Sequence, residues 1–96
     1  MPNSIVQSKN ECYVCKTTIG LHRHEIFYGT ANRNKSIKDG MTVKLCGKHH
    51  NLSTEGVHFN KQLDNHLKKL GQIVWEEYYQ KTTEDFIKRY GHNYLD

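Results

Sequence analysis

Two pairs of metal-type ligands recur with the same gap: Cys12-x-x-Cys15 and Cys46-x-x-His49, separated by thirty residues. Thiolate and imidazole are the ligands zinc prefers in tetrahedral sites, and a two-residue gap lets both side chains of one turn reach the same ion. The pairs use every cysteine of the chain. Three cysteines cannot pair completely, so a disulfide framework is not expected. The spacing predicts a structural Zn²⁺ that ties an N-terminal knuckle to a later segment and couples metal binding to folding.

Four more histidines lie near these ligands: His22, His24, His50 and His58. His50 directly follows the ligand His49, so the metal would fix its backbone. His24 comes nine residues after Cys15, and His58 comes just before a long apolar-periodic stretch. Brought together, His24, His50 and His58 can bind a second divalent ion and leave part of its coordination sphere open for water or phosphate. His66 and His92 fit no such pattern and read as surface or packing residues. His22 reads either way.

These side chains need elements to position them. Residues 1–10 are polar and read as a flexible start. "LHRHEIFYG" is rich in β-formers toward its end and reads as a strand. "GTANRNKSIKDG" reads as a loop, with a helical turn at Ser36 to Asp39. "MTVKLC" reads as a second strand, so the two make a wide hairpin. "GKHHNLSTEG" reads as a turn-rich connection. Leu63, Leu67, Leu70, Val74 and Tyr78 then recur at helical spacing from Asn60 to Tyr79, an amphipathic helix in which Gly71 costs about 1 kcal/mol relative to Ala and leaves room for a kink. Thr82 and Thr83 before Glu84 and Asp85 start a final helix, and Gly91 ends it. The fold class is therefore α+β in a single domain, 1–96: a knuckle and hairpin core at 11–60, then two C-terminal helices at 60–96.

Composition agrees with a metal-braced chain. The chain has 96 residues, 35% of them hydrophobic, which is little for a self-sufficient core. Its net charge is +4, which suits a polyanion such as nucleic acid. Arg23, Arg33, Lys35 and Lys48 lie beside the histidines and are the candidate phosphate contacts, although Arg33, Lys35 and Lys38 also read as a solvated loop. No run is long and apolar enough for a membrane span. The opening MPNSIVQSKN has no apolar core, so no signal peptide is expected and a reducing cytoplasm is the expected setting.

The Cys-x-x-Cys knuckle, the strand segment His24-Glu25-Ile26, the loop and then Leu45-Cys46-Gly47-Lys48-His49-His50 together resemble the HNH endonucleases. The resemblance covers about residues 11–60. The later "VHFNKQLDNHLKKLGQ…EDFIKRYGHNYL" is similar to small phage-type members of that superfamily and to the recombination-enhancement nucleases. It implies a ββα-metal finger, a β-hairpin plus helix braced by zinc, with His24 and His50 as catalytic-metal ligands and His58 as the last ligand. Three imidazoles favour Mn²⁺, Ni²⁺ or Zn²⁺ over Mg²⁺. The usual gap before the last ligand is four residues, and here it is eight, so "NLSTEGV" would be an insertion. Glu25 stands where the family has its general-base histidine; either Glu25 is the base, or the register shifts and His24 or His22 takes the role. The family's middle asparagine is absent near Met41, with Asn32 or Asn34 as substitutes.

These features imply a phage-type, metal-dependent hydrolase of DNA phosphodiester bonds with low intrinsic sequence specificity, acting in the host cytoplasm. Glu25, His24 and His50 carry the chemistry. The C-terminal helices offer a surface for a protein partner or a homodimer. The rival reading is a zinc module that binds nucleic acid or protein without cutting, or a structural phage component on the same scaffold.

Overall fold

The computed structural model describes residues 4–50, 56–58 and 60–95. Strand β1, Leu21–Glu25, pairs antiparallel with β2, Thr42–Cys46, so that Leu21 faces Cys46, His24 faces Val43 and Glu25 faces Thr42. Side chains alternate along a strand. His22 and His24 therefore share one face of β1, and Arg23 and Glu25 share the other.

The connection between the strands holds a full helix, α1, Arg33–Asp39, where the sequence suggested one turn inside a loop. A buried serine closes it. Ser36 Oγ donates to the Phe27 carbonyl at 2.7 Å and accepts the Phe27 N–H at 3.1 Å, joining the end of β1 to the helix. Gly40, at φ 76°, ends α1 in the left-handed conformation that glycine adopts without strain, and its N–H reaches back to Ile37 and Ser36. A four-residue helix, α2, Gly47–His50, follows β2 directly. The start of the chain, expected to be frayed, is tied to β2 over residues 4–7. Ser4 donates to the Thr42 carbonyl, and Gln7 Oε1 accepts the Lys44 N–H at 2.7 Å.

Helix α3, Lys61–Tyr78, starts at Asn60, whose side chain accepts the N–H groups of Gln62 and Leu63. Helix α4, Thr83–Tyr90, starts with a reciprocal cap: Thr82 and Asp85 each accept the other's backbone N–H at 3.1 Å. Gly91 ends it as expected. The buried face of α3 overlaps the predicted leucine stripe in part. Leu67, Gly71 and Trp75 face the core, joined by the polar Asp64 and Gln72, while Tyr78 is 62% exposed. Gly71 makes no break in α3. A Cβ there would meet Phe27 Cζ at 3.0 Å and Ile26 Cγ2 at 3.2 Å, so the glycine is a point of close helix-to-strand packing. Phe27 has no room to retreat, because Phe86, Tyr90 and Tyr94 surround it with ring centroids 4.5–5.6 Å away. No described helix is long and apolar enough to cross a membrane.

One buried carboxylate links the hairpin to both C-terminal helices. Asp39 accepts from Trp75 Nε1 at 2.8 Å, from Tyr90 Oη at 2.7 Å and from two nitrogens of Arg89, while its carbonyl accepts from Tyr79 at 2.7 Å. Removing this carboxylate strands the donors of the buried Trp75 and Tyr90, at about 1–3 kcal/mol each. Asp39→Ala should therefore lower the thermal midpoint of the metal-loaded protein by more than about 10 °C, given about 4–8 °C per kcal/mol for a chain of this size. A circular-dichroism melt within a few degrees of wild type would show that the network does not hold the helices on the hairpin.

Candidate metal centres

The Cys-x-x-Cys knuckle is a tight turn: Cys12 N–H donates to the Thr17 carbonyl at 2.8 Å, and Lys16 N–H to the Cys12 carbonyl at 2.9 Å. Tyr13 N–H donates to the Lys44 carbonyl at 2.8 Å and holds the turn against β2. Cys46 is the last residue of β2, and His49 lies on α2. The ligand atoms of Cys12, Cys15, Cys46 and His49 all lie within 4.8 Å of one another. Cys15 Sγ is 3.7 Å from Cys46 Sγ, and His49 Nδ1 is 3.3 Å from Cys46 Sγ and 3.7 Å from Cys12 Sγ. A tetrahedral ion with sulfur at about 2.3 Å and nitrogen at about 2.0–2.1 Å sets S···S edges of about 3.8 Å and S···N edges of about 3.5 Å. The four residues fit one metal ion.

Electrostatics at Cys12 favour thiolate. Burial alone would raise the Cys12 thiol, but backbone N–H groups of Cys15, Cys46 and Val14 outweigh it and bring the pKa down to about 6. Cys15 moves the other way. The Thr17 backbone N–H favours its thiolate, but burial and the neighbouring sulfurs of Cys12 and Cys46 prevail and raise it. Crowded sulfurs that resist a second negative charge are what a cation between them would relieve.

On the other side of His49, the ligand nitrogens of His24, His50 and His58 also fall within 4.8 Å of one another. His24 projects inward from β1 and is 2% exposed. His50 closes α2. His58 returns to it because Val57 N–H donates to the His49 carbonyl at 2.8 Å and His58 N–H to the His50 carbonyl at 3.4 Å. The eight-residue gap from His50 to His58 thus brings the chain back onto α2. Residues 51–55 of the expected insertion lie outside the described residues. His58 Nε2 sits 3.2 Å from His50 Nε2. Two nitrogens bound to one ion at 2.0–2.1 Å lie about 2.9–3.4 Å apart for angles of 90–110°. His24 Nε2 is buried with no hydrogen-bond partner. Orphaned buried nitrogens are rare and costly, and an ion shared with His50 and His58 would satisfy this one.

His24 is strongly shifted. Burial, then the nearby His50, His58 and Lys68, lower its pKa to about 3, and burial with His58 and His22 lowers that of His50. A histidine whose folded pKa is lowered stays neutral in the folded state while the unfolded chain takes up a proton. From His24 alone, stability is fully present above the ordinary value of 6.5 and falls as pH drops from 6.5 toward 3, by up to about 1.4 kcal/mol per pH unit. Urea midpoints between pH 7.5 and 4.5 should therefore fall with acid in wild type, and fall less steeply in His24→Ala. Equal slopes would show that His24 is not held neutral.

The remaining predicted residues divide. Glu25 ends β1 with its carboxylate 3.3 Å from Arg23 Nε and 3.6 Å from Arg33 Nε, close enough for its charge to act on His50. Lys48 is exposed on α2. Lys35 donates to the Arg89 carbonyl at 2.7 Å and Asn32 to the Tyr90 carbonyl at 3.1 Å, so both bind α1 to the end of α4. Asn32 is thereby spent on packing rather than on the histidine site, and Asn34 is exposed. Sequence reasoning missed three neighbours of the histidines. The Tyr28 ring packs 5.8 Å from His24 and 5.3 Å from His58. Lys68 lies 4.5 Å over that ring and 2.9 Å from Asp64. Burial opposes the Lys68 charge, but Asp64 more than offsets it and raises the pKa. The available signal was the i,i+4 pair Asp64 and Lys68 falling on the core side of α3.

The class that fold and site define is a two-stranded hairpin with helices, carrying one three-cysteine, one-histidine cluster and one all-histidine trio. No family model, no curated protein and no solved structure matches this chain.

Proposed function

We propose that the protein is a zinc-braced, HNH-type endonuclease of phage type that hydrolyses DNA phosphodiester bonds with little intrinsic sequence specificity. The observation that carries this reading is the buried, unpartnered His24 Nε2 converging with His50 and His58 beside a separate metal cluster. A binding module needs only the cysteine cluster, and nothing in that role calls for an orphaned imidazole under two more.

In this reading Zn²⁺ occupies Cys12, Cys15, Cys46 and His49 and holds the backbone at His50. His24, His50 and His58 would hold a divalent ion, for which imidazoles favour Mn²⁺, Ni²⁺ or Zn²⁺ over Mg²⁺, and that ion would supply charge stabilisation at a phosphate. His24 enters from the core, His50 from the zinc-anchored helix and His58 from the solvent side, so the open side of the trio faces outward to a DNA strand. In this reading Glu25, at the end of β1 and with its charge reaching His50, takes the proton of the attacking water, although strand alternation sets it on the face opposite His24. Arg23 and Arg33 flank that carboxylate, and with Lys48 they neutralise the DNA backbone.

The reading requires two metals of unequal affinity. Metal analysis after dialysis against a weak chelator should find one retained ion per chain, with a second equivalent taken up on adding Mn²⁺ or Ni²⁺. Saturation at one equivalent under all conditions would leave the cysteine cluster alone and support the binding module.

A further inference from the structure

His22 lies outside the converging trio, yet its Nδ1 is 3.1 Å from His50 Nδ1, with the two rings edge to face at 5.2 Å. His50 therefore has both nitrogens committed: Nε2 faces His58 at 3.2 Å, and Nδ1 faces His22 at 3.1 Å. A neutral imidazole carries one proton. If Nε2 is to offer a lone pair to an ion, the proton must sit on Nδ1, which then needs an acceptor. His22 Nδ1 is the atom in place to accept it, with the His22 proton on its own Nε2.

We propose that His22 is a positioning residue that fixes the tautomer and ring orientation of His50 for metal binding. The proposal rests on the reading that His24, His50 and His58 share an ion. It gives a use to strand alternation, which puts His22 and His24 on the same face of β1, one beside the trio and one within it. Partners of this kind orient metal-binding histidines, and their loss weakens metal affinity about 10–100-fold. His22 is exposed and its replacement removes little packing, so the effect should appear in the metal site and not in the fold.

The test uses the zinc-loaded full chain and Ni²⁺ as the probe, by isothermal titration. His22→Ala should bind the second equivalent about 10–100-fold more weakly than wild type, with an unchanged melting curve. His22→Asn should bind within about threefold of wild type, because its Oδ1 occupies nearly the same place as Nδ1 and accepts the same proton. Before Ni²⁺ is added, ring ¹⁵N shifts should place the His50 proton on Nδ1 in wild type and His22→Asn, and show mixed tautomers in His22→Ala. Wild-type affinity in His22→Ala would overturn the proposal. So would His22→Asn binding as weakly as His22→Ala, which would make His22 itself a ligand. If wild type takes up no second equivalent, the shared-ion reading fails and takes the proposal with it, a result distinct from a difference among variants.

Discussion

Stripping the metal from Cys12, Cys15, Cys46 and His49 should unfold the protein. The magnitudes decide this. A zinc site of this ligand type contributes about 10–16 kcal/mol of apparent binding free energy at neutral pH, and a domain of this size has a net stability of about 5–15 kcal/mol. Without the ion little or nothing remains. The cluster is also built into the packing, since Cys12 and Cys46 belong to the buried core and join the N-terminal knuckle to the end of β2. Cys46→Ser, or wild type treated with a strong chelator, should lose the cooperative thermal transition and the dispersion of its amide spectrum. Readdition of Zn²⁺ should restore both in wild type. A chelated protein shown to be metal-free that still melts cooperatively near the original midpoint would mean that the hairpin and helices stand without the brace.

The second large effect concerns His24. Its replacement by alanine should remove the second metal site and lower metal-dependent DNA nicking by about 10²–10⁴-fold, since several kcal/mol of charge stabilisation are lost at about 1.4 kcal/mol per tenfold in rate. The cost to folding should be much smaller. A cavity where a 2%-exposed side chain stood costs about 2–5 kcal/mol, but deleting an unsatisfied buried nitrogen returns about 1–3 kcal/mol. His24→Ala should thus stay folded and keep its zinc. His58→Ala is the companion variant. His58 is exposed, so it should lose the same metal and the same activity at almost no cost in stability. Full second-site affinity in both variants would show that the trio does not bind an ion.

How much of this was legible in the sequence depended on the range of the interactions. The x-x spacings of Cys12, Cys15, Cys46 and His49 are local, and the structure brings those four together as the spacing required. The caps of α4 are local too, and Thr82, Asp85 and Gly91 stand where they were expected. The approach of His58 to His50 was expected from a resemblance, and its physical basis is a pair of backbone hydrogen bonds onto α2 that no periodicity reveals. Tertiary packing overrode local reading elsewhere. Gly71 looked like a weak point in a helix because its neighbours Ile26 and Phe27 are more than forty residues away in sequence. The leucine stripe held in part, since Leu67 is buried and Leu63 and Val74 pack against the core. The core side of α3 also admits Gln72, bonded to Glu76, Asn93 and the Tyr94 backbone. It admits Asp64 as well, whose Oδ2 accepts from Lys68 while its buried Oδ1 has no partner among the described residues. Asp39 read only as the end of a helical turn, and only the folded chain delivers Trp75, Arg89 and Tyr90 to it.

The most direct test of the central claim is plasmid nicking by wild type and His50→Ala side by side, each verified as folded and zinc-loaded, with Mg²⁺, Mn²⁺ or Ni²⁺ and with EDTA. The account predicts that wild type converts supercoiled plasmid to the nicked form only with added metal, that EDTA stops it, and that His50→Ala does not do it. No nicking by wild type with any of the metals, or equal nicking by both proteins, would contradict the endonuclease reading and leave a zinc-braced binding module.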